Sequence, residues 1–496
     1  MKIKSFLMVS GILMLSALFA SIVSCEGSGG GSGTVPVVSP SNPEDGATDI
    51  STFSAISANV SCNGSVSDAS TLTTSTFKVE DDEGNAVAGT VALDDTLTTA
   101  IFTPTEPLEG STTYTVTFTT GFVCPGGGSL AQDSRWTFTT AAFPAVAATS
   151  GTTCATKSDG TLYCWGFNNN GEVGDGTTTE RHVPTKSGSA KDWAKLSGGA
   201  SGTHFCGIKA GGGLWCWGRN ADGQLGIGST VNKSSPMMAG RDVDWESVAA
   251  GGSHTCAVKK GGALYCWGLN DNGQLGIGSN VGKTSPTQVG TDTDWASVTA
   301  GGTHTCAVKT GGAAFCWGSN STGQLGDNTN DDRSSPTRVV SDQVWASVAA
   351  GGVHTCALTV AGASYCWGFN NNGQLGDGSI QSKNVPTGVT NVPSFERCRR
   401  LFGGLMHTCA ESIDGSIWCW GLNGKGQVGD GTTENRAAPA KVSMDPTAGA
   451  FMAAGGMHTC SRGATGALYC WGWNESGQLG DGTAVDSKAP KQIEGF

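Results

Sequence analysis

Cys256-Ala-Val-Lys-Lys-Gly-Gly-Ala-Leu-Tyr-Cys266-Trp-Gly268 is the stretch on which the fold turns. Folded back about Gly261, it pairs Lys259 with Ala263 and Val258 with Leu264, leaving a loop at 260–262. Cys256 then stands directly opposite Cys266. Facing residues of an antiparallel pair lie ~4.5–5.5 Å apart at Cα, within disulfide reach. Loops of this length commonly end in a residue at positive φ, which glycine adopts at least cost, and Gly262 holds that place. The stretch therefore predicts a disulfide-closed β-hairpin.

Outward from this hairpin the same unit is written seven times. Cys-Trp-Gly recurs at 164–166, 216–218, 266–268, 316–318, 366–368, 419–421 and 470–472, and a second Cys lies ten residues before each. The loop glycine is present every time, as Gly160, Gly212, Gly262, Gly312, Gly362, Gly415 and Gly466. The predicted bridges are Cys154–Cys164, Cys206–Cys216, Cys256–Cys266, Cys306–Cys316, Cys356–Cys366, Cys409–Cys419 and Cys460–Cys470. Each closes a short loop and contributes ~2–3 kcal/mol by chain entropy. Zinc is the competing reading, but two thiols across a hairpin are not the four converging ligands of a structural zinc site. Asn-x-x-Gly-Gln/Glu-Leu/Val-Gly follows each Cys-Trp-Gly, then a variable loop, a Pro and, in most units, a Trp opening the next strand.

This pattern resembles the regulator of chromosome condensation repeat, a family of seven-bladed β-propellers with about 50 residues per repeat, and the resemblance covers residues 142–496. Gly makes up 77 of the 496 residues, with 15 Trp and only 14% charged residues, which suits short strands and tight turns rather than helices. The expected class is all-β: an N-terminal Ig-like β-sandwich followed by a seven-bladed β-propeller. Net charge −12 gives no footprint for nucleic acid.

Residues 26–141 form a different unit, with 14 Asp and Glu against Lys78 and Arg135. Runs such as Thr76–Glu80, Thr90–Leu93, Tyr114–Phe118 and Trp136–Phe138 alternate in period two, and Asp82-Glu83-Gly84-Asn85 reads as a hairpin loop between the first two. Pro43–Thr48, Phe102-Thr103-Pro104 and the closing Trp136–Thr140 resemble bacterial Ig-like domains, which implies a sandwich over 35–141 acting as a spacer. Cys62 and Cys124 are its only cysteines, so a bridge joins them in an oxidising compartment. The acidic tip Glu80–Glu83 reads as a solvated turn rather than a Ca²⁺ site.

Ahead of this unit, Lys2 and Lys4 precede an apolar run from Phe6 to Val23, the pattern of an export signal over 1–24. Ile22-Val23-Ser24-Cys25 resembles the bacterial lipobox, implying lipid attachment at Cys25. Residues 25–34 then form a Gly/Ser tether. The implied location is the bacterial outer membrane or cell surface, with the membrane as partner through the lipid.

Candidate sites were weighed copy against copy. His204, His254, His304, His354, His407 and His458 occupy one slot, with Thr152 in the first unit. Copies in separate blades are too far apart to share a metal ion, so each is expected to be buried and to satisfy backbone groups in its own blade. Arg181, Lys233, Lys283, Arg333, Lys383 and Arg436 recur before the Pro, with Lys488 in the last unit; within-blade pairing or plain solvation is preferred to a cationic ring. Gly278–Thr284 has three residues between its glycines where a phosphate loop needs four. Cys398 is the unmatched thiol, standing where other units carry Trp245, Trp295 or Trp345. Its neighbours Arg397, Arg399 and Arg400 would lower its pKa, yet a small buried substitute for Trp is the preferred reading.

No catalytic set, metal site or cofactor emerges. The family's namesake is a nuclear nucleotide-exchange factor for the GTPase Ran, but the near-uniform repeat intervals leave no room for its inserted wedge, and no exchange residue maps here by motif. Secreted bacterial relatives, among them a propeller that inhibits β-lactamases through loops of one face, are nearer in design. The expectation is a monomeric, non-catalytic module binding a protein partner through variable loops such as 177–183, 229–235, 279–285 and 327–335. The alternative is a polysaccharide-binding propeller using the residues after Cys-Trp-Gly: Phe167, Arg219, Leu269, Ser319, Phe369, Leu422 and Trp473.

Overall fold

The computed structural model describes residues 35–496 except 51–54, 63–68, 83, 95–97, 106–107, 109–111, 125–127, 141–144, 158, 391–397, 445–450 and 464–465. The export-signal, Cys25 and tether readings thus lie outside the described residues, as does Arg397. The described residues form nine four-stranded sheets. Two belong to the N-terminal unit and seven to the repeats.

In the N-terminal unit, one sheet holds Val37–Asn42, Ile56–Ser61, Thr99–Pro104 and Gly89–Leu93, and the other holds Ala47–Ile50, Ser134–Thr140, Thr113–Phe118 and Phe77–Glu80. Alternation in the sequence becomes alternation in burial: along Ser134–Thr140, Trp136 and Phe138 point inward between exposed neighbours. Phe77, Phe102, Phe118 and Trp136 meet between the sheets, with Phe77 and Phe118 rings 4.4 Å apart. Burying each such ring stabilises by ~2–3 kcal/mol. Cys62 is bonded to Cys124. Glu80 and Ala86 are joined by an antiparallel bridge. The flanking strands do not form the expected hairpin, because Phe77–Glu80 and Gly89–Leu93 lie in opposite sheets. Alternation alone does not say which sheet a strand joins.

Each repeat builds one blade from four consecutive strands. In blade 3 these are Trp245–Ala250, His254–Lys259, Leu264–Gly268 and Lys283–Gln288, from the innermost outward. Blades 1 and 2 span 146–186 and 193–238; blades 4 to 7 span 295–338, 345–388, 398–441 and 451–493. The register is that read from the sequence: Cys256 faces Cys266, Val258 faces Leu264, and the Lys259 amide donates to the Ala263 carbonyl. The bonded 259/263 pair makes 256/266 a non-hydrogen-bonded pair, which brings strands closer, and Cα atoms of the bridged cysteines are 4.1 Å apart. The other six predicted hairpin pairs are bonded in the same way. The loop glycine has positive φ in every blade, from 73° to 85°.

The innermost strands surround a central channel of about 280 Å³, in whose lining alanine is the commonest residue, as at Ala148, Ala250, Ala350 and Ala454. The ring closes without strand exchange, since every strand of blade 7 comes from residues 451–493. The Gly456 amide donates to Thr149 of blade 1, and the C-terminal Phe496 ring packs against Trp165 of blade 1.

Candidate functional site

Strand order puts two connections of each blade on one face of the ring, here called the upper face. One is the short turn before the histidine; the other is the long loop after Cys-Trp-Gly. That loop is rigid. In blade 2 the Asn220 side chain donates to the carbonyls of Ser229 and Val231 and accepts from the Leu225 amide. Gly226 has φ 70°, and a Cβ there would sit 2.6 Å from Nε1 of Trp267 in the next blade. The Asn-x-x-Gly-Gln-Leu-Gly motif is therefore a loop lock pressed against a neighbour.

Beneath the loops, the repeated residues form the joints between blades. The Gln224 carbonyl accepts from Thr255 Oγ1 at 2.8 Å and from Trp267 Nε1 at 2.9 Å, both in the following blade. His254 Nε2 lies 2.8 Å from Thr305 Oγ1. Because the threonine hydroxyl gives its only proton to the glutamine carbonyl, the histidine must donate from Nε2. Its Nδ1 has no partner among the described residues. The remaining pairs are His204–Thr255, His304–Thr355, His354–Thr408, His407–Thr459 and, across the closure, His458–Thr153. The histidines are buried as expected, but they bridge neighbouring blades instead of satisfying backbone groups within their own. Burial holds their pKa far below the ordinary range: to about 3 for His204, His254, His354 and His458, and to about 4 for His304 and His407. No group of three or more metal-ligating side chains occurs among the described residues.

The recurrent basic residues divide. Arg181, Arg333 and Arg436 pair with Asp175, Asp327 and Asp430 of their own blades at 2.6, 2.8 and 2.6 Å. Lys491, not Lys488, pairs with Asp481 in blade 7. In blades 2 and 3 the aspartate slot holds Ile227 and Ile277. Cys398 is buried where other blades open with Trp, facing Ser412 as Trp345 faces Thr359. Burial pushes its thiol up to about 12, so the flanking arginines do not activate it. A cleft of about 730 Å³ lies beside it, lined by Cys398, Arg399, Arg400, Val360 and Thr105. The Glu80–Glu83 tip holds itself: Asp81 accepts from the Asn85 amide and side chain, and Glu83 lies outside the described residues.

Copies differ most on the upper face. The residue after Cys-Trp-Gly donates its amide to the residue before the histidine, so these positions form one pair per blade. The pairs are Arg219/Thr203, Leu269/Ser253 and Ser319/Thr303 in blades 2 to 4, against Phe369/Val353, Leu422/Met406 and Trp473/Met457 in blades 5 to 7. Blade 1 continues the apolar series with Phe167, and a Cβ on Gly151 would lie 3.4 Å from Phe167 Cβ and 3.6 Å from Trp473 Cζ3. All these side chains except Gly151 are half-buried. The result is an apolar crescent over blades 5, 6, 7 and 1, facing a half over blades 2 to 4 in which Leu269 is the one apolar member. The first member of each pair is legible from the Cys-Trp-Gly motif. Val353, Met406 and Met457 were not expected, and their signal is variability beside the recurrent histidine.

Comparison with known proteins agrees with this architecture. A bacterial Ig-like domain model matches residues 32–140. The regulator of chromosome condensation (RCC1) repeat model matches 159–206, 211–258, 261–308, 311–358, 361–410, 414–461 and 465–496, together more than half of the chain. The ultraviolet-B receptor UVR8 of Arabidopsis thaliana is 35% identical over 108 residues, 21% of this chain and 24% of that protein. RCC1 domain-containing protein 1 of Mus musculus is 39% identical over 84 residues, 17% of this chain and 22% of that protein. The aligned part is thus about a quarter of the length of these curated relatives. Among solved structures, yeast RCC1 (Prp20) bound to Kap60 superposes with a TM-score of 0.62 at 21% identity, covering 72% of this chain and 85% of that one. Human WBSCR16 gives 0.59 at 22% identity, covering 68% and 92%. With blades, joints and repeat motifs all accounted for, the chain belongs to the regulator of chromosome condensation (RCC1) repeat family, carrying a bacterial Ig-like domain ahead of its propeller.

Proposed function

We propose that this protein is a surface-tethered, non-catalytic binding module whose propeller recognises a protein partner with its upper face. The observation that carries this reading is the crescent of Phe369, Met406, Leu422, Met457, Trp473 and Phe167, presented on a frame in which the other repeated positions are locked. Apolar side chains fill both positions of the pair in blades 5 to 7 and continue in blade 1 with Phe167, whereas blades 2 to 4 carry polar residues there apart from Leu269, and this difference breaks the ring's symmetry where recognition needs it. Methionine adapts to the shape of an apolar partner, and aromatic residues anchor interfaces. The Ig-like domain acts as spacer, with the lipid on Cys25 holding the chain to the outer membrane or cell surface. Disulfides in every blade suit that oxidising location. A propeller of this fold is seen bound to Kap60, so a protein partner is within its repertoire.

The test is capture of cell-envelope proteins by the full mature chain, compared with Met406→Asp/Met457→Asp and with Val243→Asp on the opposite face. Loss with the first variant alone supports the reading. Equal retention by all three chains overturns it. The glycan alternative has one observation of its own, the Phe167 and Trp473 rings flanking Gly151. Retention of purified surface polysaccharide, abolished by Trp473→Ala, would favour it.

A further inference from the structure

The long loops of the upper face are not equivalent in charge. Residues 226–236 and 276–286, in adjacent blades 2 and 3, share the pattern Gly-Ile-Gly-Ser-x-Val-x-Lys-x-Ser-Pro, each with one lysine and no acid. The corresponding loops of the other blades are neutral or acidic; residues 326–336 hold Asp327, Asp331 and Asp332 against Arg333. The cause is the slot described above. Where Arg333 has Asp327, Lys233 and Lys283 have Ile227 and Ile277, and neither lysine makes an ion pair among the described residues. Beside each lysine stands an exposed valine, Val231 at 63% and Val281 at 64%. Ile380 and Val485 are exposed in other loops, but those loops contain Asp377 and Asp481 with Asp486. Earlier in the same two loops stand Arg219, paired with Asp222 at 2.6 Å, and Asp271, so the sector keeps a net positive charge. The chain as a whole carries −12.

We infer that the blade 2–blade 3 sector docks an acidic segment of the protein partner, one bearing apolar side chains among its carboxylates. The inference rests on the protein-binding reading above and adds the partner's charge and its place on the ring. A cationic sector on an otherwise acidic body attracts an acidic segment to one position and repels it elsewhere, which fixes the orientation of docking. A valine next to each cation requires an apolar counterpart, which a peptide supplies and an anionic polysaccharide does not.

The experiment titrates the full mature chain with a short fluorescent peptide alternating Glu and Leu, with its Lys–Leu and Glu–Ser counterparts, and with dextran sulfate. The Glu–Leu peptide is expected to bind best and to weaken with salt. Lys233→Glu/Lys283→Glu is expected to weaken it roughly tenfold, while Lys383→Glu leaves it unchanged. Equal binding of the Glu–Leu and Lys–Leu peptides, or no response to the double reversal, overturns the inference. Binding of dextran sulfate or Glu–Ser as tight as Glu–Leu also overturns it and reassigns the sector to anions in general. An unchanged thermal midpoint shows that the variants are folded. If the peptide fails while Met406→Asp/Met457→Asp still abolishes capture of envelope proteins, the docking sector falls and the upper-face reading stands.

Discussion

Six joints of the propeller are alike, and the seventh, between blades 1 and 2, is not. Elsewhere a buried histidine donates to the next blade's threonine. At the odd joint the histidine slot is Thr152 and the threonine slot is Phe205, whose ring stacks on Trp217 at 5.7 Å. The glutamine slot is Glu172, its carbonyl still accepting from Trp217 Nε1 at 2.8 Å. Blade 2 also has two extra residues between its opening Trp193 and its histidine. Both partners of the lost bond have changed together. A lone histidine facing Phe205 would bury a donor without an acceptor, and that is costlier than dropping both groups. The Trp–carbonyl bond, present at all seven joints, is the constant element. The His–Thr bond is the optional one.

Acid should separate the two kinds of joint most strongly. Each of the six histidines titrates near 6.5 when unfolded and at about 3 or 4 when folded. Their stabilisation is complete above pH 6.5 and is lost as pH falls toward 4 and then 3, because only the unfolded chain binds protons in that window. Every such histidine contributes a slope of ~1.4 kcal/mol per pH unit, so all six together approach ~8 kcal/mol per unit. Chemical denaturation at stepped pH measures this, and a slope no larger than one histidine supplies would refute the shared origin.

At a single joint the effects are smaller. His254→Ala removes the bond to Thr305 and leaves a cavity, and is expected to cost about 3 kcal/mol in urea unfolding. Combining His254→Thr with Thr305→Phe copies the odd joint. The pair should cost less than the sum of its single changes by about 1 kcal/mol, and strict additivity would show that the two positions do not compensate.

The smallest effects test the constant bond and the odd acid. Trp267→Phe keeps most of the ring but loses its bond to the Gln224 carbonyl, a loss of about 1 kcal/mol, since Thr255 still serves that carbonyl. Glu172 is fully buried and burial raises its pKa, so Glu172→Gln should stabilise by roughly 1 kcal/mol at neutral pH. A loss there would mean that the carboxylate's bonds to the amide and side chain of Asn170 outweigh its desolvation.

How far the molecule was legible varied with sequence distance. The hairpin, its cysteine register and its positive-φ glycine were readable because they involve residues at most ten apart, where turn geometry alone fixes pairing. The candidate site was half legible. Phe167, Phe369, Leu422 and Trp473 stood out by following a fixed motif, whereas Met406 and Met457 became their partners only once two strand connections met on one face. The exchange of Phe77–Glu80 and Gly89–Leu93 between sheets was not readable, since both strands show the same alternation.

By itself, then, the sequence determined the local unit and its number: seven disulfide-closed hairpins, each with a turn motif and a loop whose charge can be counted. Tertiary structure decided what those units do to one another. His254 meets Thr305, 51 residues away, because the second strand of each blade packs against the blade that follows. The same packing turned a repeated histidine into a joint, buried the Cys398 thiol, and gathered scattered apolar residues into one crescent. Contacts of that kind depend on the angle between blades, which no stretch of ten residues encodes.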